Sequence, residues 1–226
     1  MERAVFLDRD GTLTERYHYP SRPEHLRLYD GIGPGLRALQ SLGFKLVVVT
    51  NQSGVARGYF TEETLRGLHE YLSDQLRALD VTLDAIEYCP HHPDGVVAEL
   101  RRRCDCRKPA AGMLLRAARD LNLDLGASWL IGDILDDVEA GRRVGCRTVL
   151  VDLGTEAPPA SECRRPTYVA RDTRAALAIV AAVEQGKHTP EAGYLPPTWR
   201  DLIPSPSPAR QGEAELADME QQEVAV

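Results

Sequence analysis

Short apolar runs alternate along the chain with stretches in which apolar residues recur every three or four positions. The runs are Val5-Phe6-Leu7, the β-branched segment 45–50 (Lys-Leu-Val-Val-Val-Thr), 84–89, Trp129-Leu130-Ile131 and 148–151, with a weaker one at Tyr168-Val169. These stretches, bounded by turn residues, predict strands, and those at 5–7 and 45–50 are of the fully buried type. Between them the pattern predicts helices over 33–42, over a segment opened by Thr61, and over 111–121, 136–144 and 173–183. Gly33-Pro34-Gly35 opens the first helix and Gly43 is suited to end it. Thr61 is a capping residue, and Glu62 and Glu63 suit the positive end of a helix. Leu65, Leu68, His69, Leu72, Leu76 and Leu79 form its stripe. Strands alternating with helices predict an α/β fold, a three-layer sandwich around a central parallel sheet. Its ligand-binding edge is formed by the turns that follow the strands.

Residues 14–30 are polar, contain Pro20 and Pro23, and read as a loop over that edge. The alternation stops near residue 186. Six of the fifteen prolines lie between Pro190 and Pro208, followed by a Glu-rich end. One domain over 1–185 is therefore expected, with a tail over 186–226 that is disordered and dispensable for catalysis. Within the tail, Tyr194, Leu195, Trp199, Leu202 and Ile203 are the residues able to dock on the domain or on a partner.

The 226 residues suffice for one sizeable core. A net charge of -7 with no long Lys/Arg block argues against nucleic acid as a bulk partner. It still allows a small anionic substrate in a locally positive site. No apolar run approaches membrane-spanning length, and Met1-Glu2-Arg3 leads straight into the first strand without a leader-like segment. Five cysteines, an odd number, do not read as a disulfide framework. A cytoplasmic monomer without membrane or nucleic-acid partners is the expectation.

The first strand ends in Asp8 and Asp10, one residue apart, followed by Gly11. Crowded carboxylates repel, and a divalent cation between them makes the crowding sensible. Mg²⁺ prefers few carboxylates, near-octahedral oxygens and a bound phosphate. Thr50 ends the second strand, where its hydroxyl and the neighbouring backbone N–H groups could hold a phosphoryl group. Lys108 is a candidate for balancing Asp8 and phosphate charge. Gly132-Asp133 follows another strand and offers a further metal-binding carboxylate, with Asp137 four residues on. Taken singly, each is equally a strand end, a solvated charge or a turn; their joint occurrence after successive strands is the informative observation.

A second constellation is Cys89-Pro90-His91-His92-Pro93 with Cys104-Asp105-Cys106. Two close pairs of N/S ligands, Cys89 with His91 and Cys104 with Cys106, suit tetrahedral Zn²⁺. In extended chain, residues two apart face the same side, so His92 points away. Buried free thiols or a disulfide are the alternatives. A closed set of four ligands implies a structural site, which would brace the loop carrying Arg107 and Lys108. The stretch from Leu13 to Gly31 is too short for a cap domain, and the only irregular insertion between Gly54 and Lys108 is this loop. An open site without a large cap is expected.

The string Asp8-Arg9-Asp10-Gly11-Thr12-Leu13 resembles the first motif of the haloacid dehalogenase superfamily of phosphohydrolases. The resemblance implies that Asp8 is a nucleophile forming an aspartyl phosphate and Asp10 a general acid/base. It implies Mg²⁺ held by the Asp8 carboxylate, the Asp10 carbonyl and Asp133, with Thr50 and Lys108 completing the catalytic set. More closely, the chain is similar to the heptose bisphosphate phosphatases of the histidinol-phosphatase-like group. The segments that carry this are 6–13, Thr50-Asn51-Gln52-Ser53-Gly54-Val55-Ala56-Arg57-Gly58, 89–93, 104–109, Gly112-Met113-Leu114-Leu115 and Gly132-Asp133. This implies a structural Zn²⁺, a small phosphorylated sugar as substrate, and removal of a heptose 7-phosphate in building nucleotide-activated heptose. Asn51 and Arg107 are implied to orient substrate, and Arg57 is assigned with Arg107 to a second phosphate. The chain departs from the pattern at Thr14, at Ile134-Leu135-Asp136-Asp137 and beyond residue 186. Histidinol phosphate hydrolysis is the nearest alternative activity and polynucleotide 3′-phosphate hydrolysis a more distant one. A catalytically idle, zinc-stabilised interaction module is the alternative of another class.

Overall fold

The computed structural model describes residues 1–187, 194–196 and 199. Six parallel strands form one sheet: β1 (Arg3–Leu7), β2 (Phe44–Asn51), β3 (Ala85–Cys89), β4 (Trp129–Gly132), β5 (Arg147–Val151) and β6 (Tyr168–Ala170). Their order is β3-β2-β1-β4-β5-β6. The chain winds outward from β1 to one edge, then returns to β1's other side with β4. The break between β1 and β4 is a topological switch point, where an open sheet leaves a crevice beyond the strand ends.

Among the described residues five α-helices cover the sheet: α1 (Ile32–Ser41), α2 (Glu62–Arg77), α3 (Gly112–Asp120), α4 (Leu135–Arg143) and α5 (Thr173–Glu184). The two-residue period of the strands assigns their side chains to opposite faces. Val5 and Leu7 of β1 with Leu46 and Val48 of β2 pack against α1, α2 and α5. Ala4 and Phe6 with Val47 and Val49 pack against α3 and α4. Both faces are thus apolar, which is why these strands are written as unbroken hydrophobic runs. Thr61 caps α2, its hydroxyl accepting from Thr64 N–H at 3.1 Å. Leu79, expected in the α2 stripe, instead follows the helix and is 37% exposed. The chain there turns through a left-handed Asp80. No described helix is long and apolar enough to cross a membrane.

The register sets the site. Leu7 lies level with Val48 and Ile131, and Asp8 N–H donates to Ile131 C=O at 2.9 Å. Asp8 therefore emerges between the ends of β2 and β4, beside Thr50 and Asp133. The loop over 14–30 is tethered rather than free: Leu13 and Leu26 are buried, and Thr14 bridges to Leu28.

Most of the tail lies outside the described residues. Trp199 is buried against Leu135, Val138, Leu150 and Val169, with Tyr194 and Leu195 beside it. Its indole donates to the Glu156 carbonyl at 3.1 Å, and the Tyr194 hydroxyl donates to Asp152 at 2.6 Å. Large aromatic truncations in packed positions cost ~3–5 kcal/mol. Trp199→Ala should therefore lower stability by about 3 kcal/mol in denaturant titration while leaving turnover close to wild type. A change below ~0.5 kcal/mol would mean that the indole does not hold the domain.

Candidate active site and metal centre

Asp8, Asp133 and Asp137 bring carboxylate oxygens within 4.8 Å of one another. Lys108 Nζ bridges two of them, at 2.5 Å from Asp8 Oδ1 and 2.5 Å from Asp137 Oδ1, and donates to the Val49 carbonyl at 2.7 Å. Arg16, from the loop over the site, reaches Asp133 at 2.5 Å. Glycines make this crowding possible. Gly11 has φ +96°, and a Cβ there would fall 2.4 Å from Asp133 Oδ2. A Cβ on Gly132 would fall 2.3 Å from the Asp137 side chain.

Burial raises Asp8 to about 7, with the Lys108 charge opposing and the Asp137 and Asp10 charges assisting. Burial and then the Asp8 charge raise Asp133 to about 6. Asp137 is raised by burial too. Burial alone would lower Lys108, but Asp137 and Asp8 outweigh it and hold the ammonium above its ordinary value. The protein's own cations leave the three acids under-compensated. A divalent cation fits here: it would supply the missing charge and accept the crowded oxygens as ligands.

The Asp10 carboxylate is not one of this group of three and has partners of its own. Arg9 grips both oxygens, Nε to Oδ1 at 3.0 Å and Nη2 to Oδ2 at 2.8 Å. Gln52 Nε2 donates to Asp10 Oδ2 at 2.9 Å and to Thr50 Oγ1 at 2.8 Å. Asn51, expected to face substrate, instead uses both amide atoms on the main chain of Lys108: its Oδ1 accepts from Lys108 N–H at 3.0 Å and its Nδ2 donates to Lys108 C=O at 3.1 Å. The physical reason is register, since Asn51 ends β2 directly beneath the segment that carries Lys108.

The four residues of the predicted zinc set converge. Cys89 Sγ lies 3.1 Å from Cys106 Sγ and 3.5 Å from Cys104 Sγ, and Cys104 and Cys106 are 3.2 Å apart. His91 Nδ1 is 3.3 Å from Cys106 Sγ and 3.7 Å from Cys89 Sγ. A disulfide needs about 2.05 Å between sulfurs, and all of these cysteines are free thiols. Ligands ~2.0–2.3 Å from a central Zn²⁺ would lie close to these separations. Hydrogen bonding from Cys89 holds the Cys106 thiol down to about 5. The same hydrogen bond, with burial, pushes Cys89 up. The donor set and its shape fit zinc.

His92 stays out of this set, as expected from the spacing, and turns to Arg57, whose Nη2 lies 3.1 Å from its Nε2. Burial, then the Arg57 and Arg107 charges, lower its pKa. Arg57 Nε and Arg107 Nη1 are buried N–H groups with no hydrogen-bond partner among the described residues. Unsatisfied buried donors of this kind suit an anion.

Arg16 and Gln52 are the site residues that sequence reasoning did not single out. Asp137 it noted only as a neighbour of Asp133. The one available signal was for Asp137: spacing on a helix that starts at the strand end, four residues after Asp133.

A model of the HAD-hydrolase-like family matches residues 105–176. The chain is 47% identical over 160 residues to D-glycero-beta-D-manno-heptose-1,7-bisphosphate 7-phosphatase of Escherichia coli K12, spanning 70% of this chain and 84% of the relative. Its fold matches D,D-heptose 1,7-bisphosphate phosphatase of B. bronchiseptica, solved with magnesium and phosphate, at 30% identity and TM-score 0.67 over 80% of this chain and 98% of that one. The phosphatase of Burkholderia thailandensis with the same named substrate matches at 26% identity and TM-score 0.56, over 79% and 98%. With its sheet, its carboxylate cluster and these likenesses together, the chain is a phosphatase that belongs to the haloacid dehalogenase-like hydrolases, in the family of the heptose-1,7-bisphosphate 7-phosphatases.

Proposed function

We propose that the protein is a Mg²⁺-dependent phosphomonoesterase that removes the 7-phosphate of D-glycero-D-manno-heptose 1,7-bisphosphate, acting as a cytoplasmic monomer in nucleotide-activated heptose synthesis. Asp8, Asp133 and the Asp10 carbonyl would hold the magnesium ion, which when bound offsets anionic repulsion and the charge that develops during phosphoryl transfer. The Asp8 carboxylate attacks phosphorus in line and forms an aspartyl phosphate. Lys108, fixed by Asp137 and by the Val49 carbonyl, supports Asp8 and the transferring oxygens. Thr50 donates to a phosphoryl oxygen. Asp10 gives its proton to the leaving alkoxide and then takes one from the attacking water. Asn51 acts on substrate through the lysine whose main chain it holds. Cys89, His91, Cys104 and Cys106 would hold zinc, which would brace the loop that carries Arg107 and Lys108.

The observation that carries the substrate reading is the pair of unpartnered buried donors, Arg57 Nε and Arg107 Nη1. They suit a second phosphate that projects from the open site while the first reacts. Histidinol phosphate offers a cationic amine, which two guanidinium groups repel. A charge-assisted contact worth ~1.5–3 kcal/mol gives a preference above about tenfold for the bisphosphate in kcat/KM. Arg107→Ala should reduce bisphosphate turnover more than that of a monophosphate. Equal losses would place Arg107 on the transferring phosphate, and a preference for histidinol phosphate would overturn the substrate assignment.

The metal sites make two further predictions. Without a cation, Asp8 and Asp133 titrate near 7 and 6, above their unfolded value of about 4. The native state then binds more protons than the unfolded chain between roughly pH 4 and 7, so their contribution to stability is lost as pH rises through that window. Mg²⁺ competes with those protons and should raise Tm more at pH 8 than at pH 5; an equal shift at both would remove the carboxylates as its ligands. For zinc, protein purified without chelator should carry one equivalent by elemental analysis. Cys104→Ser should lower that content and speed proteolysis of the 89–109 loop. Zinc-free, fully active protein would refute the site.

A further inference from the structure

Arg9 stands between the two acids of the first motif and none of its surface is exposed. A buried guanidinium is costly unless its N–H groups find partners. Its partners are the two oxygens of Asp10, gripped by the Nε and Nη2 fork, and the ring of His69, whose Nε2 lies 3.3 Å from Nη1. His69 comes from α2, sixty residues on, and is itself buried. Burial and the Arg9 charge lower it to about 3, so it stays neutral at working pH. Facing a permanent donor, it accepts at Nε2 and carries its proton on Nδ1. Gln52 completes the arrangement with one amide group shared between Asp10 Oδ2 and Thr50 Oγ1.

We infer that Arg9, anchored by His69, and Gln52 are positioning residues that clamp the Asp10 carboxyl and assign its Oδ1 as the oxygen that exchanges the proton with the leaving group. The inference rests on the phosphatase chemistry proposed above and adds residues to which that chemistry gave no role. Oδ2 receives two donors, Arg9 Nη2 and Gln52 Nε2, and both its lone pairs are used. Oδ1 receives only Arg9 Nε among the described residues and keeps one lone pair free. The Asp10 side chain is 22% exposed, so this lone pair can meet substrate. In the first step a bond forms between an Asp8 oxygen and phosphorus while the bond from phosphorus to the sugar oxygen breaks. Asp10 enters this step protonated on the remaining lone pair of Oδ1; the electron pair of the broken bond passes to the sugar oxygen, which takes that proton and leaves Asp10 as the carboxylate. The Gln52 bridge, made through Oδ2, keeps the carboxyl in fixed relation to Thr50.

A misplaced general acid harms only leaving groups that need a proton. The test compares kcat/KM, which reports events up to phosphoryl transfer, for an alkyl sugar phosphate and for p-nitrophenyl phosphate, whose phenolate leaves unprotonated. Arg9→Met should lower the alkyl value by a hundredfold or more and the p-nitrophenyl value by less than about fivefold. Arg9→Lys, which keeps the charge and loses the fork, should restore little of the alkyl activity. Gln52→Leu, which leaves Arg9 and its neighbours intact, should show the same selective loss at about tenfold and serves if Arg9→Met does not fold. Losses equal on both substrates, or none on either, overturn the clamp. Wild-type protein inactive on both substrates would instead sink the phosphatase reading on which the clamp depends.

Discussion

Everything at the strand ends depends on keeping three buried carboxylates together. Like charges this close, out of water, would drive the site apart or force the acids to protonate. Lys108 is the protein's answer. One ammonium, itself buried, lies 2.5 Å from both Asp8 and Asp137. Its charge falls short of the three acids, as the raised Asp8 and Asp133 show. That shortfall suits the cluster to a divalent cation. The same logic explains the glycines: Gly11 and Gly132 lie where a Cβ would collide with Asp133 and Asp137.

Much of the chain outside the sheet serves to aim that lysine. Asn51 holds its main chain from the end of β2, and Val49 accepts from its ammonium. The Cys/His cluster lies just upstream, gathering the end of β3 and the segment that holds Cys104 and Cys106. Such a loop has little apolar surface of its own to bury, so metal ligation is an economical way to order it. Arg107, next to Lys108, keeps a buried N–H without a hydrogen-bond partner among the described residues.

The central strands were legible because both faces of the sheet are buried there, so they read as largely apolar runs; β2 over Phe44–Asn51 is the clearest case, while the edge strand β3 is half-buried and carries Glu87. The metal pairs were legible because residues two apart share a side in extended chain, which paired Cys89 with His91 and sent His92 the other way. Arg16 was not legible, since a long, half-exposed side chain meets Asp133 117 positions away and leaves no periodic trace. Gln52 and His69 were hidden for a related reason: one sat in a turn and the other in a leucine stripe, and their polar partners lie 42 and 60 positions away. Asn51 is implied to orient substrate by the family resemblance alone. The sequence does not reveal that a neighbouring main chain has already taken both its amide atoms. Trp199, Tyr194 and Leu195 were legible as residues able to dock, being large and apolar in a Pro-rich stretch, but with no helical or strand period there the sequence did not say that Leu135, Val138, Leu150 and Val169 receive them.

The central claim is that Asp8 is the nucleophile and Lys108 its fixed counter-charge. Asp8→Asn tests it most directly, because the amide is nearly isosteric and keeps hydrogen bonding while losing the attacking oxygen. Steady-state hydrolysis of a phosphomonoester in saturating Mg²⁺, with folding checked by circular dichroism, should fall by well over a thousandfold, about 4 kcal/mol of barrier. Activity within tenfold of wild type would contradict the account.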